Sequence, residues 1–82
     1  MKNEVFPEQA QQWAERQLAI EPWREEAHRQ MMRAQVRMGN RSQALAQYHL
    51  CCQILARELG VAPDPSTLTL YKQVKTGRMN EL

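Results

Sequence analysis

Residues 24–58 read REEAHRQMMRAQVRMGNRSQALAQYHLCCQILARE. In the first half Ala27, Met31, Ala34 and Met38 recur at i, i+4, i+7 and i+11, one face of a 3.6-residue period. In the second half Ala44, Tyr48, Cys51 and Leu55 repeat that spacing, widened by Leu45, Cys52 and Leu59. Between the stripes stand Gly39, suited to a left-handed C-cap, and Asn40 and Ser42, either of which can cap the next helix. Two apolar faces joined by so short a corner must fold onto each other as an antiparallel helical hairpin.

Working outward, Pro7-Glu8 suits a first helical turn, where proline forfeits no intrahelical donor and Glu favours the positive end of the helix. A helix from there to Ile20 turns Ala10, Trp13, Ala14 and Leu18 inward. Glu21-Pro22 ends it, because a residue before proline is pushed out of the α region. The next helix begins near Trp23 or Arg24, with Glu25 and Glu26 in its first turn and Arg33 and Arg37 later, matching the helix dipole. Glu25 also precedes Arg29 by four, the favourable order for an ion pair. After Glu58, Gly60 acts as terminator. Asp64-Pro65 then supplies an N-cap acceptor followed by a first-turn proline, and Leu68, Tyr71 and Val74 form the last apolar face, flanked by Thr67 and Leu70. Gly77 ends that helix.

The expected fold is all-α, with four helices at about residues 7–20, 24–38, 42–58 and 65–76. Residues 1–6 are expected to be disordered, 7–77 to form the domain and 78–82 a tail.

Composition narrows the function. Of the 82 residues, 43% are hydrophobic but only five are aromatic, so Leu, Ala, Met and Cys must do most of the packing. The net charge of +2 is too small to argue for nucleic acid, yet no Asp or Glu occurs from residue 27 through 57, where Arg29, Arg33, Arg37, Arg41 and Arg57 lie. No apolar run reaches the ~18 residues of a membrane span, and MKNEVFPEQA has no hydrophobic core of a secretion signal. A cytoplasmic protein is expected. Cys51 and Cys52, adjacent on a helix, diverge by about 100° and suit packed, reduced thiols. His49 with these cysteines lacks two further ligands at matched spacing, so no metal or other cofactor is expected.

The helices also repeat. Shifting the chain by one tetratricopeptide period, about 34 residues, lays Ala10 on Ala44, Leu18 on Cys52 and Ile20 on Ile54. The order Gly39, Ala44, Tyr48, Cys51 places small residues where paired helices cross and a ring in the gap, and so resembles a tetratricopeptide repeat. His28, Met32 and Gln35 depart from that repeat's usual Trp, small residue and Tyr. A more specific likeness covers about residues 10–77: Arg24-Glu25-Glu26-Ala27-His28-Arg29, then Gly39, Ala44-Leu45-Ala46 and Tyr48, then Glu58-Leu59-Gly60-Val61 with Pro63 and Pro65, then Leu70-Tyr71. This series resembles the bacterial transcriptional activator domain, ELGVAPDP being its most distinctive part. The resemblance implies a tetratricopeptide-like superhelical module of a larger regulator, beside a winged-helix DNA-binding domain or within a large signal-transduction ATPase. It implies contacts with proteins, including other domains of the same regulator, and puts DNA binding outside this chain, which shows no strands for a wing. Gly39, Ala44, Tyr48, Gly60, Pro63, Pro65 and Tyr71 would then be its structural positions.

Arg29, Arg33 and Arg37, at i, i+4 and i+8, form a ladder opposite the Met31-Ala34-Met38 face. In a tetratricopeptide arrangement this helix lines the concave surface, and arginine forks suit carboxylates of an acidic protein partner. The competing reading is a solvated polar side, which any amphipathic helix needs. Nucleic-acid phosphate is a weaker candidate, since no aromatics interleave with the arginines. His28 beside the apolar stripe reads as a packed histidine, Trp13 and Trp23 as packing residues, Tyr48 as hairpin core, and Tyr71 as packing the last helix onto the third. Met31, Met32 and Met38 fit gap-filling core. No nucleophile–base pair, glycine-rich phosphate loop or carboxylate pair in a cleft supports an enzyme. A stand-alone tetratricopeptide adaptor unrelated to transcription is the alternative function. Either way one hairpin with a single helix on each side leaves outer faces uncovered. Trp13, Leu70 or Val74 are expected to be exposed there, inviting self-association.

Overall fold

In the computed structural model, which describes residues 6–77, four helices follow one another: α1 Pro7–Ile20, α2 Glu25–Arg37, α3 Arg41–Leu59 and α4 Pro65–Thr76. The expectations for residues 1–5 and 78–82 lie outside the described residues. The fold is all-α, and no strand occurs among the described residues. The outer helices have the bounds expected from sequence. The inner two differ by a residue at each end, with α2 shorter and α3 longer.

The corners follow from local chemistry. Pro7 occupies the first turn of α1 and Pro65 that of α4. Asp64 caps α4, its carboxylate accepting from the Ser66 amide (3.3 Å) and hydroxyl (2.5 Å). Those bonds to the charged form hold the Asp64 carboxyl below its usual pKa. Gly60 ends α3 in the left-handed region at φ 67°, and the Val61 amide reaches back to the Leu55 carbonyl. That closure needs φ > 0, which glycine adopts without Cβ strain. Gly39 also has positive φ, 81°, at the α2–α3 corner. Asn40 stands at the N-cap of α3, but its side chain makes no capping bond. The start of α3 is tied elsewhere. Arg41 Nε donates to the Val74 carbonyl at 2.7 Å and Nη2 to that of Lys75, so a cation closes the negative end of α4.

Each helix packs on the next, and α2 also meets α4. Ala10 and Ala14 are buried where α1 lies on α2. Met32, Ala44, Leu70 and Val74 form the core shared by α2, α3 and α4, with Val36, Leu45, Tyr48 and Tyr71 packed around it. Leu70 and Val74 are therefore buried, contrary to the expectation that they would be bare. The inward face of α4 is Thr67, Leu70 and Val74, while Leu68 is 40% exposed. Both Leu68 and Leu70 are apolar, so hydropathy alone cannot phase this helix. A polar bond does. The Thr67 hydroxyl donates to Glu25 Oε2 (2.6 Å) and accepts from Arg29 Nη1 (2.8 Å), and the Asp64 amide donates to the same Glu25 oxygen (2.7 Å). Glu25 and Arg29 are thus joined through Thr67. The large apolar side chains exposed among the described residues are instead Phe6, Ile20, Trp23, Leu50, Leu59, Val61 and Leu68. Leu59, assigned to the stripe of α3, falls outside the core.

Replacing Thr67 by Val keeps its shape but removes a donor from Glu25 and the acceptor from Arg29. Hydrogen bonds to charged groups are worth roughly 1.5–3 kcal/mol. Thr67→Val is therefore expected to lower the urea midpoint by about that equivalent and to speed amide exchange in α4 first. Thr69→Val, at an exposed position of the same helix, should leave both unchanged.

Candidate functional site

The side of α2 turned away from its neighbours is set by the helical period. Ala27, His28, Met31, Met32, Ala34 and Gln35 are buried. Glu26, Gln30, Arg33 and Arg37, at i, i+4, i+7 and i+11, share the remaining face. Glu26 and Arg37 are exposed, whereas Gln30 and Arg33 are half-buried.

The three arginines of the ladder have different surroundings. Arg29 is engaged with Thr67 at the α2–α4 seam. Arg33 is partly desolvated, and this loss of water, followed by repulsion from Arg29 and Arg37, holds its pKa below the usual value, with Glu26 opposing. Arginine stays charged at neutral pH regardless. Arg33 is thus a cation crowded by cations at a half-dry position, and an anion there would relieve both penalties. Beside this face, Gln9, Ala10 and Trp13 of α1 and Glu26 and Gln30 of α2 line an open groove of about 380 Å³. Trp13 is half-buried in it. Sequence reasoning assigns Trp13 to the packing and does not reveal the groove.

The structural positions are distributed over two seams. Ala44 is fully buried in the core, where Tyr48 stacks on Tyr71 with centroids 4.0 Å apart and planes 14° apart. His49 meets both rings edge-on, and the Lys75 ammonium lies 5.4 Å from the Tyr71 centroid. Burial and a bond to Cys52 push the Tyr48 hydroxyl up to about 12. Burial likewise pushes the Cys51 thiol up to about 12, so that it stays protonated and unreactive near neutral pH. Gly60 and Pro63 shape the turn into α4, and Pro65 starts that helix.

His28 is completely buried. Its Nε2–H donates to the Pro22 carbonyl at 2.7 Å, and Nδ1 accepts from the Gln47 amide at 2.9 Å. One ring thereby joins the α1–α2 corner to α2 and α3. Further along α2, buried Gln35 keeps an unpaired Oε1. Among the described residues no group of His, Cys, Asp and Glu is arranged to hold a metal ion, and no helix is long and apolar enough to cross a membrane.

The fold and the ELGVAPDP turn agree with the sequence likeness, and comparison with protein families decides the matter. The family described as bacterial transcriptional activator domain matches residues 7–75. The chain belongs to this family. It is thus a domain of the kind found in bacterial transcriptional activators. No curated protein and no solved structure matches the chain. Within this bacterial transcriptional activator domain, the end of the ELGVAPDP turn and the start of α4 meet α2 at Glu25, which accepts from the Asp64 amide and the Thr67 hydroxyl.

Burial lowers the pKa of His28 from 6.5, outweighing the bond to Pro22 and the charge of Glu25, which raise it. Between the depressed folded pKa and the unfolded value the unfolded chain binds more protons. Stability from the neutral ring is therefore present above about pH 6.5 and is lost as pH falls through the folded pKa. The urea midpoint should decline from pH 7 to pH 5, and His28→Gln should flatten that slope even though it lowers the midpoint at pH 7.

Proposed function

We propose that this domain is a non-catalytic interaction and coupling module of a bacterial transcriptional regulator, one that binds carboxylate-bearing protein segments along the open face of α2. The DNA-binding part of the regulator lies outside these residues, and the module works in the cytoplasm without a cofactor. The observation that carries this reading is the half-buried Arg33 between Arg29 and Arg37. Arg33 presents a guanidinium fork suited to carboxylates, beside Arg37, while Arg29 sets the edge of the site through Thr67. Family membership supports the regulatory setting. Other domains of the same regulator are the natural partners, because an acidic segment held close in the same polypeptide binds at high effective concentration.

The test is titration of a short glutamate-rich peptide, and separately of duplex DNA, into the domain at low salt. The peptide is expected to bind, with affinity falling as salt rises. Arg33→Glu should weaken it at least about tenfold, a difference of about 1.4 kcal/mol, with helical circular dichroism unchanged. Equal binding by the variant, or tighter binding of the DNA than of the peptide, overturns the assignment.

A further inference from the structure

The open strip of α2 is not of one sign. Glu26, Gln30, Arg33 and Arg37 follow one another along it, and no further Asp or Glu occurs before Glu58. At 1.5 Å of rise per residue, the seven steps from Glu26 to Arg33 span about 10.5 Å. A partner segment that lays a carboxylate on Arg33 and runs on toward the start of α2 therefore meets a carboxylate of the domain.

That carboxylate is not neutralised from within. Glu26 is exposed, and the ion pairs among the described residues are Arg24–Glu21 and Arg57–Glu58. Helical neighbours placed to pair with it stand at i+3 and i+4. The first is Arg29, which donates to Thr67 instead, and the second is the uncharged Gln30. Glu26 attracts Arg33 less than either Arg29 or Arg37 repels it.

Beside Glu26 lies the open groove of about 380 Å³ that it lines with Gln9, Ala10, Trp13 and Gln30. Half-buried Trp13 offers an indole, Gln9 and Gln30 offer carboxamides, and Glu26 holds the one charge of this lining. These are the parts that receive a long cationic side chain, whose methylenes lie along an aromatic ring while its charged head reaches a carboxylate. Gln30 belongs both to the groove and to the strip, three residues before Arg33, so the two form one continuous surface.

We infer that the segment bound at Arg33 carries both signs of charge, with a lysine or arginine that enters the groove against Trp13 and Glu26, about 10 Å from the carboxylate held by Arg33. The inference rests on the carboxylate-binding reading of α2 and adds the partner's second anchor and its direction. The acid lies toward the C-terminal end of α2 and the base toward its N-terminal end. Glu26 then rejects a uniformly acidic segment, because like charges brought together across an interface are costly, and it sets the register of a segment that is accepted.

The test uses a domain carrying Trp23→Phe, which leaves Trp13 as its one indole. Three peptides of equal length and net charge each hold a glutamate pair and one lysine. The lysine stands next to the pair, three residues from it, or seven residues from it. The second spacing spans about 10 Å in an extended chain and the third spans about the same in a helix. One of the two spaced peptides should bind about fivefold tighter than the adjacent one and should shift the Trp13 fluorescence. In Glu26→Gln, with helical circular dichroism unchanged, spaced and adjacent peptides should bind alike. If Trp23→Phe lowers the helical content, the Trp13 indole N–H resonance of the wild type is followed instead. The inference is overturned if neither spaced peptide exceeds the adjacent one, if the advantage survives Glu26→Gln, or if Trp13 does not respond. Where a purely glutamate-bearing peptide binds through Arg33 and lysine spacing has no effect, this inference fails alone. Where no peptide binds, the carboxylate-binding reading fails and takes this one with it.

Discussion

Helix α2 must be enclosed by three neighbours while carrying Arg29, Arg33 and Arg37 behind Arg24 at its cap, and the molecule is arranged to reconcile these demands. Its buried residues already take up most of the helix circumference. Ala27 and Ala34 are fully buried small residues, Met32 fills the space toward α3 and α4, and His28 and Gln35 supply buried polar atoms. What remains is one narrow strip, and the charges are concentrated there or at its edge. Arg24 sits at the corner, donating to Gln17 at 2.6 Å. Arg29 is drawn to the α4 seam, and Arg33 and Arg37 take the strip itself. Crowding of like charge follows from the enclosure.

Two polar contacts orient the enclosing helices, which apolar packing alone does not do. Hydrophobic burial is non-directional, and Leu, Met and Ala faces tolerate rotation and sliding. A histidine with both ring nitrogens engaged does not. His28 meets a backbone carbonyl on one side and Gln47 on the other, so α3 has one register against α2. At the other seam, Glu25 takes the Asp64 amide and the Thr67 hydroxyl together and so selects the Thr67–Leu70–Val74 face of α4. Desolvating such groups is unfavourable unless each is satisfied, and here the alternatives that break these bonds leave buried polar atoms unpaired. Specificity of packing thus comes from the least hydrophobic buried residues.

This explains which features are legible in the sequence. Helix number, corners and most of the core follow from period 3.6 and from Pro7, Gly39, Gly60 and Pro65, because those signals are local. The ELGVAPDP turn is recognisable by pattern, but its physical meaning, bringing Asp64 to Glu25, needs coordinates. The phase of α4 is not legible, since Leu68 and Leu70 are equally apolar and Thr67 looks like a surface residue until its partners across 42 and 38 positions are known. Arg41 reads as one basic residue among several, although its partners are the last carbonyls of another helix. Arg29 likewise groups with Arg33 and Arg37, because spacing reports a shared face and not what approaches it. The groove beside Trp13 arises from two helices at once and has no signature in either.

The ends of the stack follow from the same asymmetry. A solenoid built of pairs has neighbours on both sides of every interior helix, and its faces are matched by construction. Here the chain contains one complete pair, α2–α3, between two helices that each match half of another. At matched positions the outer helices are more polar than the inner ones: Met32 corresponds to Lys72, Gln35 to Lys75, and Cys51 to Gln17. Exposed apolar area is tolerated in solution when it is small and rimmed by polar groups. Lysines bordering Leu68 and Tyr71, and Glu26 bordering Trp13, provide that rim.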